Sequence, residues 1–304
     1  MSIGLDRRAA LLGAGAFSLL GAASARADAD TPVVETDRLG RMTLPVFLNE
    51  RGPFRFALDS AASMSMVAED LIAPLGLDRD ADVTLHTLLA GERARTVRAE
   101  RLRCGALYQI KPRLAVGSRV GLAGLDGLIS ASVLNQNRVL MNFRGDRMTI
   151  GRSRARGRSD FATDRSVPFR SPDRPGFQNL IMVDAGVGGR PVTAIVDTGA
   201  QSSIANTALI AAVGGQPAQT SDGSRTRPVQ SATGAVAEAR MMVVRDLNFG
   251  PLSLERVPVL VGDFHTFDVW GLADRPAMLL GVDLLGVFQS VAIDFKRRDL
   301  TFEI

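Results

Sequence analysis

Several scarcities narrow the field before any motif is read. Cys104 is the single cysteine, so no internal disulfide can form and packing must hold the fold together. A solitary cysteine reads as a small buried hydrophobe rather than a nucleophile. His86 and His265 are the two histidines. With no H-E-x-x-H pair, no cysteine cluster and no G-x-S-x-G elbow around them, neither a metal site nor a serine–histidine site is called for. The glycines of Gly117-Ser-Arg-Val-Gly121 have the wrong spacing for a dinucleotide loop, and no βαβ pattern surrounds them. After the N-terminal stretch, no segment has the roughly 18 consecutive apolar residues that a membrane-spanning helix needs. Lysine is nearly missing, with only Lys111 and Lys296 beside many arginines, and there is one Trp and one Tyr.

What is present is 304 residues with a 46% apolar share, ample for a packed core and long enough for two domains or one bilobal one. Residues 1–27 have the form of an export signal. Asp6-Arg7-Arg8 precedes a mild Ala/Gly-rich apolar run over 9–23, and Ala25-Arg26-Ala27 ends it with small residues at a cleavage position. The paired arginine is similar to a twin-arginine leader, although an ordinary secretory leader would carry the same charges. Both readings take the protein out of the cytoplasm, to the periplasm or beyond. Removing residues 1–27 lowers the net charge from +4 to +2. That is too near neutrality to point to nucleic acid or an anionic membrane as partner.

An internal repeat is the most informative feature. Pro53-Phe-Arg-Phe-Ala-Leu-Asp59-Ser60-Ala61-Ala62-Ser-Met-Ser65 returns as Pro191-Val-Thr-Ala-Ile-Val-Asp197-Thr198-Gly199-Ala200-Gln-Ser-Ser203, 138 positions later. Gly105-Ala-Leu107 aligns with Gly250-Pro-Leu252. The ends align as well: Leu128-Ile-Ser130-Ala-Ser132, Asn142-Phe143 and Met148-Thr-Ile150 against Leu279-Leu-Gly281-Val-Asp283, Asp294-Phe295 and Leu300-Thr-Phe302. Matched blocks in one order mean duplication. The halves span 28–151 and 176–304, and the Arg-, Gly- and Pro-rich stretch 152–175 between them reads as an exposed linker.

Each half has the periodicity of strands. Runs at 54–58, 192–196, 241–244 and 291–295 are short, rich in β-branched or other apolar residues, and bounded by turn residues. Short helices are expected at 66–75 and 204–213. The fold class is therefore mostly β, in two related lobes with a few short helices.

A buried strand ending in Asp-Thr-Gly-Ala delivers a carboxylate to a fixed place, on a turn whose amides and hydroxyl can hydrogen-bond it. Two such turns facing each other would bring Asp59 and Asp197 close enough to share one proton. A carboxyl pair of that kind can activate a water and polarise a carbonyl without metal or cofactor.

At these residues the chain resembles the retropepsin-like aspartic peptidases, and through its duplication a bilobal, pepsin-like pseudo-dimer. The resemblance implies two β-lobes about a central cleft and a peptide or protein substrate. It makes Asp59 and Asp197 catalytic, supported by the turns Ser60, Ala61, Ala62 and Thr198, Gly199, Ala200. With both lobes in one chain, a monomer is expected. The resemblance also implies a hairpin flap in each lobe, at 87–96 about Gly91 and at 231–238 about Gly234, with an ordinary surface loop as the alternative for either. The second half matches the family turn closely. The first departs, with Ala61 in place of glycine and Ser130-Ala-Ser132 in place of Gly-x-Asp. Two readings follow: an aspartic endopeptidase, or a peptide-binding relative that no longer cuts.

Overall fold

The computed structural model describes residues 35–153, 166–172, 180–220 and 223–304. The leader at 1–27 and much of the stretch at 152–175 lie outside them.

Three sheets carry the architecture. In the first lobe, nine strands run from the hairpin Asp78–His86/Gly91–Arg98, through Arg113–Gly117, Met66–Ala68 and Gly127–Ser130, to the Asp59 strand Arg51–Asp59. Thr43–Leu48, Arg101–Cys104 and Leu107–Ile110 complete the sheet. The second lobe repeats this order from Val236–Val244 through Val257–Val261, Ile204–Ala205, Ala277–Leu280 and Arg190–Val196 to Met182–Val187, Leu247–Phe249 and Leu252–Leu254. Eight neighbours in the same sequence reproduce the repeat as a repeated sheet. Both turn glycines of the repeat, Gly105 (φ 54°) and Gly250 (φ 51°), take the same left-handed conformation.

The Asp-bearing strands explain their own composition. Arg51–Asp59 pairs in parallel with Gly127–Ser130, and Arg190–Val196 with Ala277–Leu280. Phe56 and Leu58 enter the large core while Ala57 faces a smaller first-lobe cluster. Ala194 and Val196 likewise enter the large core while Ile195 faces a second-lobe cluster. Strands covered on both faces read as continuous apolar runs instead of alternating ones.

The repeated end segments meet in a third sheet of five strands, Arg147–Arg152, Asn137–Asn142, Ser290–Asp294, Asp299–Glu303 and Ser166–Arg170. Its central pairing, Arg138 to Asn142 against Asp294 to Ser290, joins the two lobes. Ser166–Arg170 falls inside the stretch read from sequence as an exposed linker, yet pairs along its length with Asp299–Glu303. Alternating Val167 and Phe169 pack against the core, a period-2 signal that the neighbouring arginines obscured.

The helix expectations shift by a few residues. Met66–Ala68 and Ile204–Ala205 are short strands, fully buried and paired on both sides. Helix begins only afterwards, at Ile72–Leu75 and at Thr207–Val213. The latter is capped by the Asn206 side chain, which accepts from Leu209 N at 3.0 Å. Burial between two strands outweighs the helical preference of Met and Ala here.

Candidate active site

Asp59 ends one of two equivalent strands and Asp197 directly follows the other, and the turns after them are hydrogen-bonded to each other across the lobes. Asp59 Oδ1 accepts from the amides of Ala61 (3.1 Å) and Ala62 (2.8 Å). Asp197 Oδ1 accepts from those of Gly199 (2.9 Å) and Ala200 (3.1 Å). The turn amides therefore do hold the carboxylates as the sequence suggests.

The hydroxyls behave otherwise. Thr198 Oγ1 does not bond its own lobe's aspartate; it donates to Leu58 O at 2.9 Å and accepts from Ser60 N at 3.1 Å, both in the opposite lobe. Ser60 Oγ reciprocates, donating to Val196 O at 2.7 Å and accepting from Thr198 N at 3.1 Å. Ser60 and Thr198 are buried. Four crossed hydrogen bonds thus lock the turns together. The sequence signal for this was the hydroxyl residue after each Asp; its partner became visible only in three dimensions.

The lock brings the two aspartates into one locality. A methyl on Gly199 would lie 2.5 Å from Asp59 Cγ, so the first-lobe carboxyl sits directly against the second-lobe turn. Neither Gly199 nor Ala61 has positive φ. The glycine is needed for space and not for a left-handed backbone, and Ala61 fits its turn without backbone strain. Its side chain packs against the second-lobe cluster around Ile195 and Leu279.

Both aspartates keep some exposed surface, yet their carboxyls lie deep among protein atoms. Burial pushes both upward from the ordinary carboxylate range. For Asp197 the negative charge of Asp59 adds to the rise. The turn amides and the guanidinium of Arg41 oppose it in both. This is the electrostatic pattern of two carboxyls that resist simultaneous ionisation.

Under the turns, Ser203 and Ser65 occupy matched places. Asp283 Oδ1 accepts from Ser203 N at 2.9 Å and from Ser203 Oγ at 2.7 Å, while Ser203 Oγ accepts from Gly281 N at 3.0 Å. In the first lobe Ser130 N donates to Ser65 Oγ at 3.0 Å, and a chain of hydroxyls runs from Ser65 through Ser130 (3.1 Å) to Ser132 (2.7 Å). Sequence reading saw only a lost motif there.

Both expected places hold part of a hairpin that reaches the other lobe, but Gly91 opens the return strand of the first, Asp78–His86/Gly91–Arg98, and does not sit at its turn. The first turns at Thr87 to Ala90, just before Gly91. Leu88 and Leu89 pack on the second-lobe cluster, Thr266 N donates to Leu88 O at 3.3 Å, and His86 Nδ1 lies 2.9 Å from His265 Nε2. The two histidines, unassigned from sequence, join hairpin to lobe. The second hairpin turns at Ser231 to Ala235 with Gly234 at φ 98°. Gln230 Nε2 donates to Val120 O at 2.9 Å, Thr233 Oγ1 to Glu92 Oε1 at 2.9 Å, and Ala232 packs on the first-lobe cluster.

Cys104 is buried, its thiol pushed up to about 12 by burial, which suits an inert core residue. Among the described residues no group of three or more His, Cys, Asp or Glu side chains is placed to hold a metal, and no helix is long and apolar enough to cross a membrane.

The aspartyl protease family model matches residues 44–134 and 183–284, one region in each lobe and together more than half of the chain. The chain belongs to the aspartyl protease family. The matched regions of this family member contain both Asp turns, together with residues 128–132 in the first lobe and 279–283 in the second. The chain is also similar to the crystal structure of a retropepsin-like aspartic protease from Rickettsia conorii. The identity is 18% and the TM-score 0.30, over 45% of this chain and 89% of that one. No curated protein matches it.

Proposed function

We propose that the protein is an exported aspartic endopeptidase in which Asp59 and Asp197 act as one proton-sharing pair. Membership of the aspartyl protease family supports a peptidase; the crossed Ser60–Thr198 hydrogen bonds, which seat Asp59 against Gly199, are the observation that carries the finer reading. In this reading the ionised carboxylate takes a proton from a water, whose oxygen attacks the scissile carbonyl carbon. The protonated carboxyl stabilises the developing oxyanion. Proton transfer to the amide nitrogen then lets the C–N bond break, giving a carboxylic acid and an amine. No metal or cofactor enters the balance.

An extended peptide would suit a cleft between two β-lobes, because exposed strand edges offer backbone hydrogen bonds. The Arg7-Arg8 leader supports export to the periplasm or beyond, with Asp28 as first residue after cleavage. One chain supplies both turns, which favours a monomer, and the near-neutral mature charge argues against nucleic acid as partner.

The test is cleavage of a peptide library by the processed chain from acidic to neutral pH, with Asp59→Asn and Asp197→Asn alongside. Cleavage should fall by about 10²–10⁴-fold in both variants. Activity persisting in both would sink the pair, and a parent chain that binds peptides without cutting at any pH would sink the enzyme.

A further inference from the structure

Arg41 belongs to none of the repeated motifs and precedes the first family-matched region. Its side chain is 7% exposed and that of its partner Asp37 2%. Enclosing two charges this completely is expensive unless their hydrogen-bonding capacity is used. Asp37 Oδ2 accepts from Arg41 Nε at 2.8 Å and lies 2.6 Å from Nη2, while Asp37 Oδ1 accepts from the amides of Leu39 and Arg41, both at 2.9 Å. The carboxylate is thereby fixed by its own turn. The guanidinium's remaining donors leave the turn and reach both lobes: Nη1 donates to Gly199 O at 3.3 Å, and Nη2 to Leu122 O at 3.5 Å.

Gly199 is the residue whose amide holds Asp197 and whose α-carbon faces Asp59. We infer that Arg41 is a positioning residue of the Asp59–Asp197 pair, gripping the second-lobe turn through the Gly199 carbonyl and keeping a fixed positive charge beside both carboxyls. The inference rests on the reading of those aspartates as a working pair.

The other charged groups described on the elements packed there have partners of their own. Arg119, on the loop that carries Leu122, is committed to Asp70 (2.9 Å) and Asp126 (2.6 Å). Glu92 of the first hairpin accepts from Thr233. Asp37 is held by Arg41 itself. Arg41 favours the ionised form of both aspartates and so works against burial. A pair enclosed without such a cation would keep both protons to higher pH, leaving no carboxylate to activate water. Arg41 thus sets the pH range in which the pair carries one proton.

The experiment follows the pair's titration by carboxyl carbon NMR, assigned with Asp59→Asn, next to the pH profile of peptide cleavage. The chains are the full protein, Asp37→Asn, Arg41→Lys, and the doubly neutral Asp37→Asn/Arg41→Gln, which leaves no buried charge unpaired. In the double variant both titration steps should move to higher pH by on the order of one unit, with both limbs of the kcat/KM profile following. Asp37→Asn alone, which retains the arginine, should move the steps to lower pH. Arg41→Lys keeps the charge but loses the fork, so kcat should fall while the steps stay near the parent's. Unmoved steps in a folded double variant, or no downward movement in Asp37→Asn, would overturn the inference and leave the pair intact. Carboxyls that titrate independently in the parent would overturn the pair, and the inference with it.

Discussion

The two lobes present the same turn on different supports. In the second lobe Asp283 reaches under the turn to buried Ser203, and Gly281 beside it has no room for a side chain: a methyl there would lie 2.6 Å from Ser202 C. In the first lobe Ser130 stands in that place, buried, with its hydroxyl joined to Ser65 and Ser132. A charged acceptor has been exchanged for a relay of hydroxyls, while the amide bonds to the aspartate above agree between lobes within about 0.3 Å. The turns differ similarly, Gly199 making room for Asp59 and Ala61 packing on the opposite lobe's core. The two copies share the turn geometry where they meet and differ in the chemistry around it. Crossed bonds between Ser60 and Thr198 couple the turns, so neither can move without the other.

The comparison predicts an order of effects. Largest, Asp59→Asn and Asp197→Asn should each lower kcat/KM for peptide cleavage by about 10²–10⁴-fold, and by similar factors. A loss confined to one lobe would break the equivalence. Next, Gly199→Ala drives a methyl into Asp59 and should lower kcat by about 10²-fold, as a misplacement of about 1 Å does. Ala61→Gly should change it only a few-fold; equal losses would show that the turns are not asymmetric in space.

A smaller effect concerns stability and pH. Burial raises Asp197 above its ordinary range, so the folded chain binds a proton that the unfolded chain releases. Folding stability therefore falls as pH rises from the ordinary carboxylate range through the raised one. Asp197→Asn should accordingly melt several degrees above the parent near neutral pH, with the gap closing on acidification. A gap independent of pH would refute this. Smallest, Asp283→Ala should cost about 1.5 kcal/mol in denaturant unfolding, the low end for a charge-assisted bond because Asp283 itself is exposed and water can partly replace it. Ser132→Ala should cost about 0.5 kcal/mol. The reverse ranking would mean that the hydroxyl relay is the stronger support.

Legibility from sequence followed the range of the interaction. Short apolar runs before Asp59 and Asp197 indicate buried strands, and the matched blocks indicate two related lobes. Both are properties of neighbours along the chain. The stretch expected to be a linker contains a strand at Ser166–Arg170 because Val167 and Phe169 find their partners on Asp299–Glu303, more than a hundred residues away. The loss of Gly-x-Asp in the first half looked like decay, since nothing in a linear pattern indicates that Ser65, Ser130 and Ser132 line up. The threonine hydroxyl was assigned to its nearest carboxylate, whereas its partners lie across the lobe boundary.

Two similar β-lobes, each with a buried strand leading to an aspartate at a tight turn, are written in the order of residues, because apolar periodicity and turn chemistry are local. It took the folded chain to show that Thr198 grips Leu58 and Ser60, that the hairpins cross to opposite lobes, and that a buried arginine from outside the repeat reaches the Gly199 carbonyl. Those contacts are made by residues distant in sequence, whose meeting is dictated by how two sheets pack and not by any order along the chain.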